Sequence, residues 1–188
     1  FSANTGRALF DVARDGTLLY GDSAVVGIRG GFDPSTYEQQ LTWIDFAARP
    51  EIVGPPGVYR GAQISPDGRR IAVHQHDAAG GDVWVIEPDG SRRRITFDPT
   101  RDNSSPIWSP DGKDLVYTAR RDGKWGLYRI PSNAAGTAEL LFEDESPKAA
   151  TSWAPDGARL VFWKQAPETN GDLFVLPLDG DRKPVPVV

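Results

Sequence analysis

Cysteine is absent from the 188 residues, which excludes disulfides, cysteine-ligated zinc and thiol nucleophiles together and leaves the compartment open. Histidine is nearly absent. His74 and His76 are the only two, so a Ser/His/Asp triad would have to use one of them. No Gly-x-Ser-x-Gly string exists, and Gly21–Val25, the nearest, fails. An excess of positive charge is also missing. A net charge of −5 and a pI near 5.0 argue against nucleic acid as a partner, and the one basic run, Arg92–Arg94, reads as the solvated start of a strand. Apolar runs such as Val83–Ile86 and Leu173–Leu176 are too short for membrane insertion. The chain begins at Phe1 without methionine, as expected of a processed or excised piece, from which targeting information can have been removed. Helical periodicity is wanting too: no segment of helical length repeats its apolar residues every 3.6 positions.

What the sequence does have is a repeat. Ser65-Pro66-Asp67-Gly68 returns as Ser109-Pro110-Asp111-Gly112 and again as Ala154-Pro155-Asp156-Gly157, and a period between 20 and 50 residues decides the reading of the whole chain. Ile64, Trp108 and Trp153 stand three before each aspartate, and Ile71, Leu115 and Leu160 three after each glycine. A fainter first copy runs from Phe10 through Asp15-Gly16 to Leu18-Leu19-Tyr20, with an insertion expected within Asp22–Gln40. Each copy predicts four short strands. Ile71–His74, Leu115–Thr118 and Leu160–Trp163 are β-branched and aromatic, bounded by Gly and Pro. In the Pro-Asp-Gly turn, proline presets φ, aspartate bonds its own backbone, and glycine takes the left-handed conformation. Four strands in about 40–45 residues is the mark of a β-propeller blade. The expectation is one all-β domain, residues 1–188, of four four-stranded antiparallel blades at about 7–57, 58–101, 102–146 and 147–188.

Ser109-Pro110-Asp111-Gly112-Lys113-Asp114-Leu115-Val116-Tyr117, followed by Arg121-Asp122-Gly123 and Leu127-Tyr128, closely resembles the TolB-like propeller repeat. Leu176–Pro184 is similar to a segment of propellers fused to bacterial membrane-anchored Ser/Thr kinases. The resemblance implies a propeller and an extracytoplasmic place, periplasmic or extracellular. It says less about function, because this repeat serves translocation proteins, peptidase propellers, lyases and sensors alike. Relatives usually carry six or more blades. Four can close alone, but the geometry of the family would leave apolar end faces open, so of self-closure and pairing of two copies through the end blades into an eight-bladed ring, pairing is the preferred expectation.

The chemistry-bearing residues are few. His74 and His76 share a strand face, but no third ligand is marked, so no metal and no cofactor are expected. Asp67, Asp111 and Asp156 have turn roles. Trp108 and Trp153 are in phase with Ile64 and read as core between blades. The loops passing from one blade to the next share a face with the loops between second and third strands. Tyr59, Arg60, Arg101, Asp102, Glu143 and Lys148 on this rim are the candidate binding residues for a protein or small polar ligand. Arg29, Arg120–Asp122 and Glu168–Asn170 flank them. No catalytic residue is named. The expected function is a non-catalytic binding or scaffolding module of a bacterial envelope or signalling protein. An enzyme working in the central funnel and a self-assembling structural unit are the alternatives.

Overall fold

The computed structural model describes residues 10–12, 18–22, 38–44, 49–77, 80–97 and 103–187. Every regular element among them is a strand. The first blade comprises β1 (Phe10–Val12), β2 (Leu18–Asp22), β3 (Gln39–Ile44) and the first half of β4 (Pro50–Ile64). The second half of β4 opens the second blade and is followed by β5 (Ile71–Asp77), β6 (Gly80–Ile86) and β7 (Arg92–Arg94). The third holds β8 (Ser104–Trp108), β9 (Asp114–Arg121), β10 (Lys124–Pro131) and β11 (Glu139–Asp144). The fourth holds β12 (Lys148–Trp153), β13 (Arg159–Lys164), β14 (Asp172–Pro177) and β15 (Val185–Pro186). All pairings are antiparallel and sequential, the up-and-down order of a propeller blade. The Asp15-Gly16 turn and most of the expected insertion within Asp22–Gln40 lie outside the described residues.

The Pro-Asp-Gly turns close as their chemistry requires. Gly68, Gly112 and Gly157 donate to the carbonyls of Ser65, Ser109 and Ala154 at 2.8, 2.9 and 2.9 Å, each glycine with φ between 69° and 75°. Asp67, Asp111 and Asp156 accept from backbone N–H groups two residues on. These turns mark one end of the blades, the turn end. At the opposite, junction end, one blade passes to the next.

The first junction differs from expectation. Val58–Arg60 is not a loop, because β4 runs unbroken from Pro50 to Ile64, pairing first with β3 and then with β5. Pro55 and Pro56 lack backbone donors. The carbonyls of this stretch are satisfied by side chains instead: the Gln40 amide donates to the Gly54 carbonyl at 3.0 Å, and the Tyr59 hydroxyl donates to the Pro55 carbonyl at 2.7 Å. The bend is thereby held without a loop.

Three cores lie between successive blades. The first gathers Leu19, Leu41, Tyr59, Ile71 and Ile86, the second Val83, Val85, Trp108, Leu115 and Tyr117, and the third Val116, Leu127, Leu160, Phe162 and Leu176. Period-2 alternation produces this sharing. Ile71, Leu115 and Leu160 face the preceding blade; Ala72 and Val116 face the following one. Val161, in phase with those two, is half-buried on the last blade with Trp163 and Val175, beside exposed Leu173.

Candidate functional site

The junction end is built on one repeated position. Tyr59, Asn103 and Lys148 each stand six residues before the first residue of their turn, and their exposures are 2%, 0% and 2%. Each is tucked beneath the preceding blade. Tyr59 lies in the first core, and burial pushes its phenol up against the opposing influence of Arg92. Asn103 donates its backbone N–H to the Gly81 carbonyl at 3.1 Å. Lys148 Nζ donates to the Trp125 and Ser146 carbonyls at 2.8 and 2.7 Å and to Asp144 Oδ1 at 2.6 Å.

Of the six rim residues, the structure brings Glu143 and Lys148 together. Glu143 accepts from Lys124 Nζ at 3.1 Å, and Asp144 joins Lys148 to Lys164, whose Nζ lies 2.8 Å from Asp144 Oδ2. Burial works against ionisation of Asp144, yet the two lysines and the Ser146 N–H outweigh it and hold its carboxyl below the usual range. Burial lowers the Lys148 ammonium, with Asp144 opposing. Tyr59 and Arg60 lie on β4 in the second blade, away from this pair on the third and fourth. Arg101 and Asp102, like Arg29, lie outside the described residues.

A second network at the same end went unmarked by sequence reasoning. Asp82, 4% exposed, accepts from Arg94 Nη2 at 2.7 Å, from the Thr96 hydroxyl at 2.8 Å and from Asn103 Nδ2 at 3.2 Å. The Thr96 hydroxyl also accepts from the Val83 N–H at 3.0 Å. These contacts join the second blade's last strand to the third blade's first residue. The phase of Asn103 with Tyr59 and Lys148 is the signal that could have found it.

His74 and His76 do share a face, their rings 5.8 Å apart. His74 is 8% exposed and lies on Gly81, where an added Cβ would stand 1.8 Å from Nε2. Trp163 lies on Gly171 in the same way two blades later. Burial, then the charges of Arg60 and His76, push the imidazole down to about 4 from 6.5. The folded state therefore resists a proton that the unfolded chain accepts, so stability is lost as pH falls from about 6.5 to about 4, by about 3 kcal/mol at the limit. We expect urea melts of the parent chain to weaken through this window and those of His74→Phe to weaken markedly less. Equal slopes would contradict this account of His74.

At the turn end the inner strands surround a cleft of about 310 Å³ lined by Asp11, Gln63, Ser65, Trp108, Ser152 and Trp153, among others. Asp11 Oδ2 accepts from the Ile64 N–H at 2.6 Å. Burial raises its carboxyl, against the Ile64 and Val12 N–H groups. Among the described residues no group of three or more His, Cys, Asp or Glu is placed to hold a metal ion.

A family model described as the TolB beta propeller domain matches residues 32–183. The Tol-Pal system protein TolB of Alcanivorax borkumensis is 26% identical over 162 residues, covering 83% of this chain and 33% of that protein. The chain thus spans a third of that curated relative's length. Among solved structures, TolB from Acinetobacter baumannii superposes with a TM-score of 0.69 at 16% identity, covering 92% of this chain and 40% of that one. Oligogalacturonate lyase in complex with manganese superposes at 0.74 and 16% identity, covering 96% and 53%.

Proposed function

Because this chain belongs to the TolB β-propeller family, we propose that it is a non-catalytic module that binds a protein or a small polar ligand on its junction rim, in a bacterial envelope or signalling protein outside the cytoplasm. The observation that carries this reading is the fixed charge pattern where the third and fourth blades meet. The side chains of Lys124 and Glu143 are 53% and 33% exposed yet paired, and Asp144 is held between Lys148 and Lys164. Charges oriented in advance select partners and steer their approach. In this reading Arg60, Arg101 and Asp102 extend the rim, Tyr59 supports it from below, and the blades divide at about 57, 101 and 146. The apolar surface at Val161, Trp163, Leu173 and Val175 is where a second copy would pair.

A photo-cross-linker placed at position 124 in the full-length protein, in its own host, should form a discrete adduct that one at Arg93 on the outer strand does not. Exchanging Lys124 and Glu143 keeps the pair but inverts the pattern, and should weaken the captured partner's affinity about tenfold. Equal adducts at both positions, or unchanged affinity, would refute the rim reading. A funnel enzyme is the second reading, favoured by the half-buried Asp11 carboxyl in its cleft and by the lyase among the structural neighbours. Turnover of an acidic oligosaccharide that Asp11→Asn abolishes would support it over the first.

A further inference from the structure

The repeat places two seams of one molecule side by side, and a side chain fills in one what stands open in the other. At the turn end between the second and third blades, Arg70 reaches across the seam. Its guanidinium carbon lies 4.6 Å from the centre of the Trp108 ring. Nη2 donates to the Gly112 carbonyl at 2.8 Å and Nη1 to the Ser132 hydroxyl at 3.2 Å. Beneath it Trp108 is 6% exposed, and its Nε1 donates to the Gln63 carbonyl at 3.0 Å.

One period later every partner changes or loses its cover. Asp114 stands where Arg70 stood, and Trp153, Gly157 and Leu178 take the places of Trp108, Gly112 and Ser132. A carboxylate has no proton to donate to the Gly157 carbonyl, and leucine in place of serine removes the second donor. Trp153 is only half-buried. Its Nε1 is closed off from solvent without a hydrogen-bond partner among the described residues. Between the blades lies a groove of about 380 Å³ lined by Asp114, Arg129, Trp153 and Gly157, with Asp111 and Asp156 also on its wall. Arg129 does not fill it as Arg70 does, because its Nε and Nη2 donate to Glu139 at 3.0 and 2.6 Å. Burial leaves the Asp114 carboxyl raised, with Arg129 opposing, so a cation beside it would favour its ionised form.

We propose that this groove takes the guanidinium of an arginine side chain presented by a partner protein, in the place that Arg70 occupies one seam earlier. The planar fork stacks on the indole while directing donors to the Gly157 carbonyl and the Asp114 carboxylate. A lysine ammonium, a point charge without a plane, loses the stacking and the fork together. The groove opens at the end opposite the rim, so this assignment stands or falls apart from the rim reading.

The test follows the indole N–H signals of the ¹⁵N-labelled 188-residue chain by NMR, with Trp153 assigned through Trp153→Phe. Acetyl-Gly-Arg-Gly-amide, its lysine counterpart and its citrulline counterpart are the probes. The Trp153 signal should move with the arginine peptide and respond far more weakly to the other two. Asp114→Arg supplies the guanidinium from within the chain, so it should abolish the response and raise the melting midpoint. Asp114→Asn keeps the shape of the seam and should weaken binding about tenfold through loss of a charge-assisted bond. An indifferent Trp153 signal, equal responses to arginine and lysine, or unchanged affinity in Asp114→Asn would overturn the proposal.

Discussion

Asp82→Ala should melt about 6–12 °C below the parent chain, the equivalent of about 3 kcal/mol for a protein of this size. The substitution takes one acceptor group from three donors at once. Arg94 loses a 2.7 Å partner, while the Thr96 hydroxyl and the Asn103 amide lose theirs in a place water does not reach. Arg94 is partly exposed and can turn to solvent, which keeps the figure at the lower edge of what breaking a buried ion pair costs. Because Asn103 begins the third blade, the damage should extend beyond the second. Asp89→Ala, in an exposed hairpin turn, is the control and should cost far less. Circular-dichroism melts of the two variants decide the matter, and similar midpoints would mean the network does not hold the seam.

Lys148→Met is the second large effect, again about 3 kcal/mol. Methionine keeps the apolar stem of the side chain and removes the ammonium, leaving the Trp125 and Ser146 carbonyls without the Lys148 donor and Asp144 Oδ1 with only the Ser146 N–H. This is the cost of breaking a fitted set, not the net worth of the buried charge, which a fully apolar replacement could match. The pH dependence separates this role from mere packing. Asp144 has a depressed carboxyl in the folded state, so it contributes stability above its unfolded pKa that is lost as pH falls through the folded one. With one of its two lysines gone the depression shrinks, and the Lys148→Met chain should lose less on acidification than the parent. Parallel acid limbs in chemical denaturation would refute this.

The blades were legible because their signals are local and repeated. A turn with fixed chemistry, strands with period 2 and an in-phase aromatic need no knowledge of distant contacts. Depth was harder to read. Lys148 looks like a rim charge until four acceptor atoms from three residues are seen around it. Tyr59 looks like a loop aromatic until β4 is seen to continue through it. Alternation says which face a residue occupies and leaves open how far the neighbouring blade covers that face. The Asp82 network draws on β6, β7 and the start of β8, and only its Asn103 member falls on the repeated position. The Arg70–Asp114 exchange was present in the repeat alignment all along. Its meaning depends on where the Trp108 and Trp153 rings lie, which spacing does not tell.

Each inner strand of the last three blades slips its register by one residue, between Arg60 and Gln63, Ser104 and Ile107, and Ala150 and Ser152. The pairs Arg60–His74, Ser104–Thr118 and Ala149–Trp163, which precede the slip in each blade, occupy one phase of the repeat. Gly61 and Ser105 carry the bulge with φ of 56° and 52°, although such a backbone suits only the glycine at no steric cost. Three independent insertions at one phase are a poor account of this. A single ancestral blade that already held the extra residue, copied in tandem and then diverging in side chains, explains both the shared slip and the serine now strained to keep it.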